Sequence, residues 1–587
     1  MSDFIYSTKT IKKEYMKKAL HSIYKEEFPQ ISYFHGPWGC LGITHNIYNG
    51  FEPYETEKHI VIVIGGPLLT FAANDFLTSN NNNDGTKLIY ERWLDDAIIW
   101  DEDLNGPYSV VIVNKKTYEK LVVTDIMSYI PIYDYKGVEG YTISSHVDIL
   151  SNITNKTKDF DEVSLVDFIL HGAVTYPYTT YKDIYQIQPA SEHLYSKNNV
   201  AVKSYWEPHE TNEHKDISET AELIREKLVN YINMVLSQTT NIAQFISGGE
   251  DSRTLSGILQ KFDRDAYIYL DGMNREGKLA KKIAEKYNAS FNLSTRDKFH
   301  YLHVLEECTN LIGSGAEYHH AHTYGFHKSL KQYDAVFGGL FSDALLKGAR
   351  IKKNKMSQKF IFIPDTINPR NLINENLASN ELPEKLLNIL RDRRLNHFNF
   401  IKQYRNESAE EWFELWPSSM NRNIANIYAN RRLFKSYEPF LSNDIVKISA
   451  SCPQSWKLNR KLFNLVAKPL LKETKWVMHG DGWLPYYSYK LNSIISFFTW
   501  SYRQLAKRIG IMKGNQGPWA SWKSIINSKK WEEQLVHYRI DDLLISSELK
   551  RELSKFIKDK KYSVLQYIAF TQVAYQLQMR YKDEKEN

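Results

Sequence analysis

NIAQFISGGEDSRTLSGIL, residues 241–259, decides the fold of this chain. An apolar run that ends at Phe245-Ile246 meets the loop SGGEDS at 247–252, after which Leu255, Ile258 and Leu259 recur at helical spacing. The pattern predicts a strand, a tight loop and the start of a helix. Glycine lets the backbone approach a ligand closely, and a helix N terminus offers unpaired N–H groups, so the loop suits a polyphosphate.

Two interpretations of this loop are open. Ser, Gly and Asp are also the residues that an ordinary glycine turn prefers when it caps a helix. The loop differs from the Walker pattern, because no Gly-Lys-Ser/Thr follows the glycines. Ser-Gly-Gly-x-Asp-Ser instead resembles the pyrophosphate loop of the ATP pyrophosphatases, which cleave ATP between the α and β phosphates to adenylate a substrate.

Length and composition limit the classes of protein to which this chain can belong. A chain of 587 residues predicts two or three domains, and contents of 42% hydrophobic and 25% charged residues are typical of a soluble globular protein. The net charge of +6 is small for this length, which argues against extended nucleic-acid binding. We expect the basic cluster at 347–355 to be a solvated loop; a lid or docking surface for an acidic partner is the alternative.

The cysteines and the apolar runs predict a cytoplasmic location. The chain has three cysteines, far apart and odd in number, which indicates neither a disulfide framework nor a thiolate metal site: Cys40, Cys308 and Cys452. The stretch MSDFIYSTKTIKK lacks the apolar core of a signal peptide, and no run reaches the length needed to span a bilayer. We therefore expect a reducing compartment and no membrane contact.

The first third of the chain predicts an antiparallel sheet. Short apolar runs at 108–113, 120–126, 131–135 and 141–146 are separated by turn residues. Their order resembles the glutaminase domain of the asparagine synthetases, and KSYWEP at 203–208 resembles the end of that domain. Those enzymes carry a nucleophilic cysteine where this chain has Ser2. We interpret the domain as a retained scaffold without glutaminase activity.

The middle of the chain predicts a parallel sheet. Strand patterns at 242–246 and 265–272 alternate with helix patterns, and ligands bind at the carboxyl ends of such strands. DAVFGGLFSDALLKG at 334–348 resembles the second motif of the asparagine synthetases, Gly-x-Gly-x-Asp-Glu, although Ala344 replaces its second acid. The resemblance implies that Asp251 and Asp343 hold Mg²⁺. It also implies that ATP is bound by Ser247, Gly248, Gly249, Asp251, Ser252, Gly338 and Gly339.

Two stretches in the last third of the chain supply candidate catalytic residues. YANRRLFKSYEPFL at 428–441 resembles the element in which the family carries a glutamate four residues before a proline. Lys435 occupies that place and Glu438 lies nearby, so the identity of the general base is open. A pyrophosphate-facing lysine late in the chain is also usual in the family, and the candidates are Arg460, Lys461, Lys468, Lys472 and Lys475. We take Asp251, Glu438 and Lys472 as the candidate catalytic residues.

EYHHAHTYGFH at 317–327 is rich in histidine. Such spacing could form a zinc site, but no cysteine or HExxH arrangement supports it. We favour the interpretation that these histidines pack near the substrate pocket.

The resemblance implies two domains and an α/β fold class. Residues 1–208 would form an N-terminal α+β glutaminase-like (Ntn-type) sandwich. Residues 217–587 would form a doubly wound parallel-sheet ATP-pyrophosphatase domain with a helical C-terminal part. Between them lies a polar linker at 211–216.

The resemblance further implies an ATP-dependent, AMP-forming ligase that makes amide bonds. A small-molecule or peptide carboxylate would be adenylated with ATP and Mg²⁺, and an amine or ammonia would displace AMP. We favour a substrate amine, as in the similar lasso-peptide cyclases and β-lactam synthetases, in peptide, natural-product or surface-polysaccharide modification. A precursor peptide or partner enzyme would fit this role, and no nucleic acid or membrane is expected. The alternatives are asparagine synthesis from ammonia, a tRNA-modifying relative and a non-catalytic ATP-binding homologue.

Overall fold

Antiparallel sheets form the N-terminal part of the chain, a parallel sheet its middle, and helices its C-terminal part. This architecture confirms the predicted fold class. The computed structural model describes residues 1–78, 82–138, 140–197, 199–368, 382–509, 515–538, 545–559 and 563–582. No helix among these residues combines the length and the apolar character that crossing a bilayer requires.

The N-terminal part contains mostly strands. Its strands are β1 (Phe4–Ser7), β2 (Ile31–Gly36), β3 (Gly39–Thr44), β4 (Tyr54–Glu55), β5 (His59–Gly65), β6 (Leu68–Leu69), β7 (Leu104–Asn105), β8 (Tyr108–Asn114), β9 (Lys120–Thr124), β10 (Tyr133–Gly137), β11 (Gly140–Ser144), β12 (Ile184–Gln186), β13 (Ser191–Tyr195) and β14 (Val200–Ser204). Its helices are α1 (Lys13–His21), α2 (Asp84–Leu94), α3 (Trp100–Asp103), α4 (Val147–Ile153) and α5 (Glu162–His171).

Two six-stranded sheets, as far as the described residues go, form a sandwich. Their strand orders are β12-β10-β11-β1-β3-β2 and β14-β13-β9-β8-β5-β4. Side chains alternate between the two faces of a strand, so Ile60, Ile62 and Ile64 of β5 pack against the facing sheet. Val61 and Val63 point to the opposite face and join the large core that the helices cover.

The remaining elements follow in chain order. The strands are β15 (Ile242–Phe245), β16 (Asp265–Leu270), β17 (Ser290–Thr295), β18 (Ala335–Phe337) and β19 (Ser436–Tyr437). The helices are α6 (Ile217–Leu236), α7 (Glu250–Leu259), α8 (Arg275–Lys286), α9 (His300–His303), α10 (Leu305–Ile312), α11 (Ser342–Leu346), α12 (Lys355–Lys359), α13 (Glu384–Lys402), α14 (Ala409–Phe413), α15 (Ile424–Leu433), α16 (Asn443–Ser451), α17 (Gln454–Lys457), α18 (Lys461–Ala467), α19 (Tyr489–Arg508), α20 (Trp522–Ile526), α21 (Lys529–His537), α22 (Ser547–Asp559) and α23 (Val564–Lys582).

The parallel sheet has the order β17-β16-β15-β18-β19. Helices cover both of its faces, and its strands are therefore apolar on both sides. Ala266 and Ile268 of β16 pack with α8, whereas Tyr267 and Tyr269 lie in a core on the other face. The strand order reverses between β15 and β18, which is the point where a doubly wound sheet opens a crevice for a ligand.

A buried ion pair joins the strands at the start of the chain to the helical part. Arg432 of α15 donates to both carboxylate oxygens of Asp3, at 2.7 and 2.9 Å, and the two side chains are 2% and 0% exposed. Tyr24 and Ser145 also donate to this carboxylate. Burial by itself would raise the pKa of Asp3, but the charge of Arg432 outweighs it and holds the pKa at about 2.

We expect Arg432→Met to destabilise the protein by about 3–5 kcal/mol, because it leaves the Asp3 carboxylate buried without its cation. The double variant Asp3→Asn/Arg432→Met should recover part of that loss. Urea unfolding measures both. The control is Lys328→Met, which breaks an exposed pair with Glu26 and should cost less than about 1 kcal/mol. Equal unfolding midpoints for Arg432→Met and the control would contradict the assignment.

Candidate functional site

The loop between β15 and α7 is held by its own side chains. Ser252 Oγ accepts a hydrogen bond from Ser247 N at 3.0 Å, and Ser247 Oγ accepts one from Gly249 N at 3.0 Å. Gly248 N donates to the buried Glu276 carboxylate at 2.6 Å. Burial raises the pKa of Glu276. The loop therefore has a defined shape, with an anionic side chain bound to one of its amides.

Two amides of this loop remain open to a ligand. The first N–H groups of a helix have no partner within it. In the described part of the chain, the backbone N–H groups of Glu250 and Asp251 donate no hydrogen bond. The N-terminal end of a helix carries a partial positive charge, so this position favours a phosphate.

The late segment 477–483 covers the loop and is tied to it by Arg253. The guanidinium of this fully buried residue donates to Val477 O at 2.7 Å, to Met478 O at 3.2 Å and to Gly248 O at 3.0 Å. Burial lowers the pKa of Arg253 to about 10. One side chain thus fixes the glycine loop relative to a segment more than 200 positions later in the sequence.

A second cation approaches the same helix from the C-terminal part. Arg460 lies 3.3 Å from Glu250 and stacks over the ring of Trp483, with 3.9 Å to its centroid. Trp483 in turn donates to Glu250 at 2.9 Å and stacks on His479. Burial lowers the pKa of His479 to about 3, so the imidazole is neutral at pH 7.

The second glycine motif packs directly against the first. A Cβ at Gly339 would lie 2.9 Å from the Cβ of Asp251, and a Cβ at Gly338 would lie 2.3 Å from the carboxylate of Glu438. Only glycine permits these approaches without a shift of the neighbouring atoms. The two motifs that the sequence singled out therefore meet at the carboxyl ends of β15 and β18.

Asp251 faces a lysine that sequence analysis placed elsewhere. Lys347 Nζ lies 2.6 and 2.8 Å from the two carboxylate oxygens of Asp251. Burial lowers the pKa of Lys347, but the charges of Asp251 and Asp343 outweigh this effect, and the pKa is raised. Asp343 itself is exposed, and one of its oxygens accepts a hydrogen bond from Ala344 N.

The expectation of a solvated loop at 347–355 is wrong for four of its basic residues, which form ion pairs, whereas Lys355 is exposed. Lys347 is bound to Asp251, Arg350 and Lys352 are bound to Glu414, and Lys353 is bound to Asp365. A signal was available, because Lys347 follows Asp343 by four residues. That spacing places both side chains on one face of a helix.

Glu438 is a buried carboxyl group at the end of β19. It is 1% exposed and accepts hydrogen bonds from Leu340 N at 3.2 Å and from Ser436 Oγ at 3.0 Å. Burial raises its pKa to about 7. Lys435, which takes the place of the family's glutamate, lies apart from it and lines a cavity of about 520 Å³ with His45 and Arg432.

Lys472 lies on the 3₁₀ helix Lys468–Thr474 and is exposed. Among the other late basic residues, Lys461 lies over the ring of Tyr489 and Lys468 over that of Tyr486. Arg460 is the member of this group whose side chain reaches the helix of the glycine loop. The role of Lys472 stays a prediction.

The histidines at 317–327 surround a buried acid. His320 Nε2 lies 3.3 Å from the carboxylate of Glu317, which is fully buried, and the rings of His319 and His320 are 4.2 Å apart. The hydroxyl of Tyr301 is hydrogen-bonded to His322 Nδ1 at 3.2 Å. Burial, reinforced by neighbouring imidazoles, lowers the pKa of both His319 and His322.

We expect Glu438→Gln to remove a specific pH dependence of stability. The carboxyl group has a pKa of about 7 when folded, against 4.5 for the free group, so the folded protein binds the additional proton between these values. The free energy of unfolding of the wild type should therefore fall by about 3 kcal/mol as pH rises through this window. Urea unfolding at pH 5 and pH 8 measures the difference between wild type and variant. If the difference in unfolding free energy between wild type and variant is the same at both pH values, the pKa of Glu438 is not raised.

Comparison with known proteins identifies two regions. Residues 84–206 match the family model described as a glutamine amidotransferase domain, and residues 223–478 match the model described as asparagine synthase. Putative glutamine-hydrolyzing asparagine synthetase 2 of Methanocaldococcus jannaschii is 21% identical over 228 residues, covering 37% of this chain and 44% of that protein. Glutamine-hydrolyzing asparagine synthetase 1 of Bacillus subtilis is 20% identical over 286 residues, covering 45% and 44%.

The matched region spans less than half the length of these two relatives. Among solved structures, the allosteric regulatory enzyme of purine biosynthesis aligns at 9% identity over 50% of this chain and 80% of its own, with a TM-score of 0.25. A score this low supports no argument about the fold.

Proposed function

The chain belongs to the asparagine synthetase-like family, and from that premise we propose that it is an ATP-dependent ligase that forms amide bonds. A substrate carboxylate attacks the α-phosphate of ATP, and pyrophosphate leaves. A nitrogen nucleophile then attacks the acyl-adenylate, and AMP leaves. The substrate is a small-molecule or peptide carboxylate.

One observation carries this proposal. The backbone of Gly339 packs on Asp251, which brings both predicted phosphate-binding motifs to the point where the strand order of the sheet reverses. Ligands of doubly wound sheets bind at such a point. A glycine turn that merely capped a helix would not need a second glycine motif in contact with it.

Each group at the site has a proposed task. The free N–H groups of Glu250 and Asp251 donate hydrogen bonds to phosphate oxygens. The hydroxyl groups of Ser247 and Ser252 bind the same phosphate. Lys347 offsets the charge that develops on the departing pyrophosphate, as fixed cations do in phosphoryl chemistry.

The acidic residues fit a Mg²⁺ ion. Asp251 and Asp343 lie close enough for both charges to act on Lys347, and Mg²⁺ is commonly bound by one or two carboxylates together with phosphate oxygens. These two residues would hold the ion. When bound, Mg²⁺ neutralises charge on the phosphates and polarises them.

We assign the role of general base to Glu438. A base is most effective when its pKa lies near the working pH, and the pKa of this carboxyl group is about 7. Its hydrogen bond from Leu340 N holds it at the end of the loop that carries Gly338 and Gly339. There it would accept the proton from the attacking nitrogen.

The nitrogen comes from a substrate amine or from ammonia rather than from glutamine. Ser2, which stands where glutaminases of this family have cysteine, is fully buried, and its hydroxyl lies 3.4 Å from Val63 O. The next residue, Asp3, is held by Arg432. A buried hydroxyl beside a buried ion pair lacks the access that a glutaminase nucleophile needs.

We expect ATP to yield AMP and pyrophosphate, rather than ADP and phosphate, when pooled candidate carboxylates are supplied. ATP–pyrophosphate exchange measures the first step alone. Asp251→Asn should slow exchange by about 10²–10³-fold, since it removes a charged group that organises the phosphates. Asp263→Asn, which changes an exposed acid just beyond α7, is the matched control. If the wild-type protein does not bind ATP, the proposal is wrong.

We also expect no release of glutamate from glutamine above background, because Ser2 and Asp3 are enclosed. Ammonium or a substrate amine should instead accelerate AMP release once a carboxylate has been identified. Glutamate formation coupled to AMP release would overturn the assignment of the nitrogen source and leave the adenylation proposal standing.

A further inference from the structure

We propose that Glu317, His319 and His320 bind a divalent transition-metal ion at a site separate from the one that would hold Mg²⁺. Their ligand atoms all lie within 4.8 Å of one another. Bonds from zinc to imidazole nitrogen or carboxylate oxygen are about 2.0–2.2 Å long, so small side-chain rotations bring the three atoms onto one ion.

Two atoms of this cluster are buried without a hydrogen bond. His319 Nδ1 has no hydrogen-bond partner, and His319 is 3% exposed. Glu317 Oε2 accepts no hydrogen bond either, although His320 Nε2 lies 3.3 Å from it. Leaving a buried polar atom unpaired costs about 1–3 kcal/mol. A bound cation would satisfy the carboxylate and an imidazole lone pair at the same time.

The backbone around the cluster is anchored, as a preformed site requires. Gln572 of α23 receives a hydrogen bond from Tyr318 N at 3.2 Å and donates one to Ala316 O at 2.7 Å. Arg422 donates to Glu317 Oε1 at 3.2 Å. This contact leaves the second carboxylate oxygen for a metal and orients the group, which is the usual task of a residue behind a metal ligand.

The set of donors selects the kind of ion. Two imidazoles and one carboxylate favour zinc, iron and similar divalent ions, whereas Mg²⁺ and Ca²⁺ prefer oxygen alone. Three protein ligands leave a coordination position for water or substrate. The side chain of His320 is 16% exposed, and the half-exposed ring of Trp519 lies beside it, so an ion can enter from solvent.

The test is metal binding by the full chain, prepared without a histidine tag. After chelation and dialysis, titration with Zn²⁺ should give one ion per chain, and Co²⁺ should produce the visible absorption bands of a site with nitrogen and oxygen ligands. His320→Asn should weaken Zn²⁺ binding by more than about 100-fold, since loss even of an outer partner costs 10–100-fold. His303→Asn, which changes a half-exposed histidine outside the cluster, should bind as the wild type does.

A second readout does not depend on the variants. Zn²⁺ should raise the unfolding temperature of the wild-type protein, because an ion that binds only the folded state stabilises it. A wild-type protein that binds no Zn²⁺ after chelation would overturn the proposal. Equal affinity in His320→Asn and the wild type would overturn it as well, because the ion would then be bound elsewhere. Neither result depends on whether the chain adenylates a carboxylate.

Discussion

The close approach of Gly339 to Asp251 is the constraint on which the candidate site depends. A methyl group at either glycine of the second motif would collide, at 339 with Asp251 and at 338 with Glu438. Because both positions lack a Cβ, the ends of β15, β18 and β19 come together. Asp251 then contacts Lys347 and Gly339, and Glu438 lies against Gly338, although these residues lie far apart in the sequence. The proposed chemistry therefore depends on glycine at positions 338 and 339.

Local patterns in the sequence were sufficient for the fold class but not for the contacts of the site. The apolar run before residue 247, the glycines and the helical spacing after them are short-range features, and they predicted the strand, loop and helix that the structure has. The partners of this loop come from distant segments. Glu276 binds Gly248, Arg253 binds residues 477 and 478, and Lys347 binds Asp251. No periodicity encodes such long-range pairs; the four-residue spacing of Asp343 and Lys347 indicates only that these two side chains lie on one side of a helix.

Burial, rather than an ion pair, determines the direction of the pKa shift of two acidic residues. Asp125 accepts hydrogen bonds from the backbone of residues 127, 129 and 130, yet burial still raises its pKa to about 7, as it does for Glu438. Asp3 is equally buried, but its guanidinium partner reverses the effect. The three acids are similarly buried, and the guanidinium group beside Asp3 accounts for the opposite direction of its pKa shift. Composition gives no hint of such a difference.

The hydrogen bond between Gly248 and Glu276 gives the glycine loop an anion of its own. A phosphate that takes this amide must displace a carboxylate that is already there, so binding is an exchange of one anion for another. The exchange reduces the affinity that the loop could otherwise reach. Once such an anion leaves, the same amide is again available to Glu276. Glu276 is thus a built-in competitor for any anion that binds the amide of Gly248.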